Sequence, residues 1–217
     1  MRIGLDVTAA VSQGGGIGRY VRELLRALAA LDSDNEYRLF FAAKNDDRHG
    51  LPDLPANFHA RRLPFHDIWL ARVWQRLRAP IPVELITGRV DVYHSPDFTL
   101  PPTLRNTSTL LTVHDLSFLR QPSSAAPGLS HYLDRVVSRS VSRATHVLAD
   151  SQSTKDDLME LYHTPEEKIT VLYAGVAPDF SPVADPATIV EVRSRYGLGD
   201  GPYVLSVGTL QPRKNHA

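Results

Sequence analysis

The sequence contains no cysteine, which excludes disulfides, thiolate metal sites and cysteine nucleophiles and fits a reducing compartment. It carries no excess charge: 24 Lys and Arg balance 24 Asp and Glu, for a formal net charge of +0. No global field therefore draws the chain to nucleic acid or to an anionic membrane, and any such attraction has to be local. No apolar run approaches the length that spans a bilayer. The N-terminus, "MRIGLDVTAA", places Asp6 inside its apolar run and makes a poor signal peptide, so a cytoplasmic protein is the expectation. Three catalytic signatures are also missing. There is no G-x-x-x-x-G-K-[ST] loop, no G-x-S-x-G elbow for a hydrolase serine, and no H-E-x-x-H or clustered histidine-carboxylate spacing for a metal.

What is present is ordinary globular composition, 42% hydrophobic and 22% charged over 217 residues, enough to bury a real core. That length is long for one domain and short for two. Short apolar runs at 2–7, 37–43, 90–94, 109–113, 145–149 and 168–173 read as strands. Between them lie amphipathic stretches. After the first run, Ile17, Val21, Leu24, Leu25, Leu28 and Leu31 recur at helical spacing, with Arg19, Arg22, Glu23 and Arg26 on the other side. Further helices are expected near 67–87, broken by Pro80 and Pro82, and near 128–143 and 152–162, while 44–66 reads as irregular. Strands alternating with helices predict an α/β fold: a Rossmann-like, largely parallel sheet with helices on both faces.

From Gly175 the pattern changes. "GVAPDFSPVADP" reads as a linker, and Asp185-Pro186 is placed to cap a short helix that Gly197 stops. "YVLSVGT" (203–209) reads as a new strand without a successor. The expected organisation is a domain over 1–175, a linker with a short helix over 176–201, and the first strand and basic loop of a second, truncated domain over 202–217.

Ligands of open parallel sheets bind beyond the carboxyl ends of the strands. Those ends here deliver Gly14-Gly15-Gly16-Ile17-Gly18, His94-Ser95-Pro96-Asp97, His114-Asp115, Asp150-Ser151 and Ala174-Gly175. Jointly they predict a binding cleft. The glycines allow backbone N–H groups to approach a phosphate at a helix N-terminus. Arg19 stands where a third glycine of G-x-G-x-x-G would fall, so a plain flexible turn stays open as the alternative. His114 suits hydrogen bonding to a substrate hydroxyl or acid–base work, unless it simply packs while Asp115 caps local backbone. His94 and His146 read more readily as structural. Arg213-Lys214-Asn215 suits an oxyanion, above all a leaving diphosphate, although two basic residues in a loop are often only solvated.

With these residues assembled, the chain resembles the N-terminal half of a retaining glycosyltransferase of the GT-B fold, in the glycogen-synthase-like family called group 1 or family four. The matching pieces are "GGGIGRYVRELLRAL", "TVHDLSFL", "VLADSQSTKDDL", "ITVLYAGV" and "YVLSVGTLQPRKN", in the family's order across the whole chain. The resemblance implies two facing Rossmann-like domains, the first binding mainly acceptor and the second the nucleotide sugar. It implies that Arg213 and Lys214 hold the donor diphosphate and assist departure of the nucleotide. Gly15 and Gly16 would lie near the donor phosphates, and His114 beside the transferred sugar, so His114 and Lys214 are the catalytic candidates. Asp115, Asp150 and Ser151 would fall on the acceptor side. The implied reaction moves a hexose, mannose by preference, from a nucleoside-diphosphate sugar to a saccharide or lipid-linked acceptor in bacterial polysaccharide or glycolipid assembly. It retains anomeric configuration without a covalent nucleophile, and needs no cofactor and no metal. The family's acidic E-x7-E motif does not occur in this chain, which on its own is therefore expected to be inactive.

In "HDIWLARVWQRLRAPIP", Ile68, Trp69, Val73, Trp74 and Leu77 form an apolar stripe with Arg72, Gln75, Arg76 and Arg78 largely opposite. A 67–78 helix of this kind can make a peripheral contact at the inner face of the cytoplasmic membrane, or merely cover the sheet. Two other readings stay open. A nicotinamide-dependent oxidoreductase would want an intact G-x-G-x-x-G and an acid ending the second strand, where Ala42-Ala43-Lys44 stands. A non-enzymatic module binding a sugar or lipid headgroup would need no donor domain.

Overall fold

The computed structural model describes residues 1–44, 50–124, 128–177, 180–208 and 214, and divides into two units, Met1–Ala174 and Gly175–Ala217. In the first, seven parallel strands form one sheet: β1 (Arg2–Asp6), β2 (Glu36–Ala42), β3 (Phe58–Leu63), β4 (Val92–Ser95), β5 (Ser108–Val113), β6 (His146–Ala149) and β7 (Ile169–Val171). Their order is β3-β2-β1-β4-β5-β6-β7. The order reverses between β1 and β4, and doubly wound folds bind their ligands at that switch point.

The central strands are buried on both faces because their side chains alternate between two cores. On β2, Phe40 and Ala42 join the cluster of Trp74, Tyr93, Val113, Val137 and Leu158. Their neighbours Leu39 and Phe41 join Leu5, Val7, Val21 and Leu25 on the other side. The expected α/β class and its parallel, two-faced sheet are therefore found. β3 was not expected. It is an edge strand in which Phe58 and Leu63 are buried while His59 and Arg61 face solvent, and Tyr37 of β2 stacks on Phe58 at 4.1 Å.

The helices are α1 (Thr8–Ser12), α2 (Gly16–Leu31), α3 (Ile68–Leu70), α4 (Glu84–Thr87), α5 (Ser117–Arg120), α6 (Leu129–Arg143), α7 (Gln152–Tyr162) and, in the second unit, α8 (Pro186–Arg195). Helix α2 packs against α1 so closely that one glycine is obligatory. A Cβ on Gly18 would lie 2.0 Å from the Gln13 carbonyl oxygen and 2.7 Å from that of Ala9. One turn on, Arg22 Nη1 donates to the Ala10 and Gln13 carbonyls at 2.7 and 3.1 Å, so it ties the two helices together instead of facing water.

The helical stretch expected near 67–87, broken by Pro80 and Pro82, is found as shorter pieces on either side of those prolines. After α3 the chain widens into a π-helix over Ala71–Arg76, closed by Leu77 N–H on the Arg72 carbonyl at 2.8 Å. The apolar stripe splits as a result: Trp74 is buried edge-on to Phe40, whereas Ile68, Trp69 and Leu77 are exposed. In the second unit, α8 begins as expected, with Asp185 accepting from the N–H groups of Ala187 and Thr188. The expected strand at 203–209 does not form: 203–208 are in no ladder and Thr209 lies outside the described residues. A strand exists through the neighbour that bonds its backbone, and an apolar sequence alone does not supply one.

Candidate functional site

Three strand ends meet at His114, which directly follows β5. Its Nδ1 lies 2.6 Å from Asp150 Oδ2, at the end of β6, and its Nε2 lies 3.0 Å from the Pro96 carbonyl oxygen, after β4. A carboxylate and a carbonyl accept, so the hydrogen-bond pattern is the one an imidazolium makes when it donates from both ring nitrogens. Burial works against that charge. The Asp150 bond and charge, the charge of Asp97 and the Pro96 carbonyl outweigh it, and the pKa is raised. Tyr20 of α2 and Phe98 stand edge-on to the ring at 5.2 and 5.4 Å. The Thr154 hydroxyl donates to the His114 carbonyl at 3.0 Å and fixes its backbone.

Tyr20 also locates the glycine loop. It lies four residues beyond Gly16, so the N-terminus of α2 is one turn, about 6 Å along the axis, from the residue that touches His114. Gly15 is the N-cap of α2 and Gly16 its first residue, no side chain caps that end, and a Cβ at Gly14, Gly15 or Gly16 would meet nothing within 4 Å. A 16-residue helix thus presents its first-turn N–H groups to an open approach.

At the switch point itself is a cavity of about 390 Å³, within the size range of small-molecule sites, bounded by Asp6, Thr8, Gln13, Asp67, Trp74 and Asp97. Burial pushes the Asp6 carboxyl up to about 6, with the nearby charges of Asp97 and Asp67 adding to the rise and hydrogen bonds from Thr8 opposing it. Thr8 N–H donates to Asp6 Oδ1 at 2.9 Å. Asp97 is also raised by burial, against the pull of the His114 charge and a hydrogen bond to Gln13. Carboxyls beside an amide and hydroxyls on the walls of one cavity suit a polyol. Among the described residues no three His, Asp or Glu side chains are arranged to hold a metal ion.

The residues singled out from sequence separate into groups. Gly15, Gly16, His114 and Asp150 share the edge just described. Asp115 instead accepts from the Ser117 N–H and hydroxyl at 2.9 and 2.6 Å, and Ser151 accepts from Thr154 N–H as the N-cap of α7. His94 is buried with Nε2 2.9 Å from the Thr112 hydroxyl, and burial, then the His114 charge, lowers it to about 4. His146 sits against Thr170, away from the site. Lys214 is exposed in the second unit, and Arg213 lies outside the described residues. Sequence reasoning nominated neither Asp6 nor Gln13, Tyr20, Asp67 or Phe98. Asp6 carried a usable signal, an acid closing a buried strand, but in the sequence it stood out only as a defect in a signal peptide.

The chain has relatives among known proteins. The family described as Glycosyltransferase Family 4 matches residues 14–180. Over 207 residues the chain is 28% identical to the O-antigen chain mannosyltransferase B of Escherichia coli, covering 92% of this chain and 54% of that protein. A stretch of 114 residues is 30% identical to the O-antigen chain mannosyltransferase RfbU of Salmonella typhimurium, covering 52% of this chain and 28% of that one. Among solved structures, Anabaena Alr3699/HepE in complex with UDP-glucose aligns with a TM-score of 0.54 at 14% identity, covering 92% of this chain and 50% of that chain. Its complex with UDP gives 0.52. The chain thus spans about half the length, or less, of these proteins.

Proposed function

The chain belongs to glycosyltransferase family 4, and from that premise we propose that it is the acceptor-side half of a hexosyltransferase of bacterial surface-polysaccharide assembly. The donor is a nucleoside-diphosphate sugar, mannose being the favoured hexose. The acceptor is a saccharide or lipid-linked saccharide met at the cytoplasmic face of the membrane. Similarity to two O-antigen chain mannosyltransferases supports the sugar and the process, and the UDP-glucose and UDP bound by Alr3699/HepE support a nucleotide-sugar donor.

The observation that carries the reading is the ring of His114, held at both nitrogens between Asp150 and the Pro96 carbonyl and one helical turn from the uncapped N-terminus of α2. Negative charge grows on the diphosphate as the sugar departs, and preorganised N–H groups and a fixed cation answer such charge without reorganising. In this reading the N–H groups at Gly15 and Gly16 face a donor phosphate. His114 Nε2–H moves from the Pro96 carbonyl to an oxygen of the transferred sugar. Arg213 and Lys214 neutralise the diphosphate, so no metal is assigned. The acceptor sugar occupies the switch-point cavity, its hydroxyls against Asp6, Gln13 and Asp97. The acceptor hydroxyl attacks from the face the nucleotide leaves as the anomeric C–O bond to the diphosphate breaks, and its proton passes to the departing phosphate oxygen, which retains configuration and requires no covalent nucleophile.

Calorimetric titration of the product of the complete reading frame with GDP, UDP and their sugars at low salt tests this. Micromolar binding of one diphosphate, weakened roughly tenfold by Lys214→Ala, is expected. Absence of nucleotide binding, or an affinity indifferent to Lys214→Ala, would overturn the assignment.

A further inference from the structure

We propose, resting on the acceptor-side reading of the switch-point cavity, that this cavity admits only a saccharide end that carries no anionic group. A lipid-linked acceptor then reaches it with sugar interposed between the accepting residue and the lipid diphosphate. The cavity, about 390 Å³, is sized for the end of a saccharide. One wall is apolar, made by Ile68, Leu70 and Trp74. The indole N–H of Trp74 already donates to the Ile81 carbonyl at 2.8 Å, so this wall offers carbon to the C–H face of a pyranose ring. The polar wall holds the carboxyls of Asp6, Asp67 and Asp97 beside Thr8 and Gln13.

Charge decides what the ligand can carry. Among the described residues no lysine or arginine lines the cavity, and His66, the basic side chain on its wall, is paired with Asp67. Neutral donors on the wall are engaged as well. The Ser95 hydroxyl donates to the Thr99 carbonyl at 2.5 Å, and Gln75 Nε2 to the Leu100 carbonyl at 3.4 Å. A phosphate, sulfate or carboxylate brought here lies against like charge with no fixed cation to answer it, and such juxtaposition is steeply unfavourable. Burial already raises the carboxyls of Asp6 and Asp97, so further negative charge is poorly tolerated. A sugar hydroxyl, which donates as well as accepts, meets no such penalty.

The groups that favour anions lie across a thin partition. Pro96 turns its carbonyl to His114 Nε2 at 3.0 Å, while its neighbours Ser95 and Asp97 line the cavity. Gln13 lines the cavity too, and Gly15 and Gly16, just beyond it in the chain, open helix α2. These two loops sort charge: first-turn N–H groups and His114 on one side, carboxyls on the other. A donor's diphosphate and an acceptor's lipid diphosphate have the same chemistry, and a cavity of this sign keeps either out of the acceptor position. Rejection by unanswered like charge is as much a source of specificity as attraction. With the lipid diphosphate held outside, the enzyme extends an existing saccharide and does not start one.

The test is an NMR binding titration of the product of the complete reading frame with a neutral methyl α-mannobioside and with the same disaccharide phosphorylated on its terminal residue. The neutral disaccharide binds, and the phosphorylated one binds about 50-fold more weakly. Asp67→Asn with Asp97→Asn brings that ratio below about tenfold, whereas a merely structural loss weakens both ligands together and leaves the ratio unchanged. Asp67→Asn alone, with its side chain 44% exposed, moves the ratio in the same direction, so the result does not hang on the folding of a variant at the buried Asp97. Equal binding of the two disaccharides, tighter binding of the phosphorylated one, no binding of the neutral one, or a ratio unmoved by the substitutions overturns the proposal. Transfer assays with the same pair report separately on the reading beneath it. Nucleotide-sugar turnover at equal rates on both acceptors leaves a hexosyltransferase standing and removes only the exclusion of anions.

Discussion

Asp150→Asn isolates the bond on which the candidate site depends. In the native chain a carboxylate faces an imidazolium 2.6 Å away, with side chains only 26% and 11% exposed. Asparagine keeps the shape and an accepting oxygen but removes the charge. Hydrogen bonds involving charged groups contribute about 1.5–3 kcal/mol and neutral ones about 0.5–1.5 kcal/mol, so the substitution costs about 2 kcal/mol where His114 is charged. The pH dependence comes from the raised histidine pKa. Its stabilising contribution is fully present below the unfolded pKa of about 6.5 and is lost as pH rises through the higher folded value. Urea denaturation of the native chain and the variant at intervals from pH 6 to pH 9 should therefore give a stability gap that is largest at the acid end and narrows to about 1 kcal/mol at the alkaline end. NMR titration of the ring should show the His114 pKa falling in the variant. A gap that does not change with pH, or a His114 pKa unmoved by the substitution, would refute the imidazolium assignment.

Asp6 makes the opposite prediction: burial pushes its carboxyl up to about 6, so its ionisation at pH 7 costs the fold stability and Asp6→Asn should stabilise it by about 2–3 kcal/mol there. The gain should vanish below pH ~3, where the carboxyl is protonated in both states, and denaturant titration at the two pH values checks the sign. Gly18→Ala should cost about 1–3 kcal/mol because its Cβ has no room beside the Gln13 carbonyl. Gly16→Ala, with open space around it, should leave the melting temperature within a few degrees of native, so that any loss of nucleotide binding in the complete product reports the loop's approach to phosphate. Phe40→Ala, at a position with 0% exposure, should cost about 3–5 kcal/mol by chemical denaturation.

Most of the sheet was readable because its strands are short β-branched runs buried on both faces, a pattern that survives without tertiary information. β3 escaped notice because an edge strand has one side to water, and "FHARRL" with His59 and Arg61 outward looks like loop. The 67–87 stretch misled for a different reason. Its periodicity is helical, but the wider π-turns at Ala71–Arg76 change the angle between successive side chains, so Trp74 turns inward and Leu77 outward. The strand expected at 203–209 failed because backbone pairing, which no local pattern encodes, decides whether an extended apolar run becomes a strand. At the site, His114 and Asp150 were each visible as polar residues closing a strand. Their bond was not, since it joins residues 36 positions apart through the β5–β6 register. Asp115 and Ser151 look alike in sequence to those two, yet each turns back on its own helix start. Asp6 needed the switch point to be known, and strand order is not written in one sequence.

The most direct test of the central claim is transfer itself: the product of the complete reading frame, a nucleoside-diphosphate mannose labelled in the sugar, and a lipid-linked saccharide acceptor. The account predicts transfer with retained anomeric configuration. It also predicts that His114→Asn lowers kcat by about a hundredfold or more, consistent with loss of a preorganised donor, while the purified variant keeps a native circular dichroism spectrum. Transfer with inverted configuration, or a folded His114→Asn variant that turns over at the native rate, would contradict it.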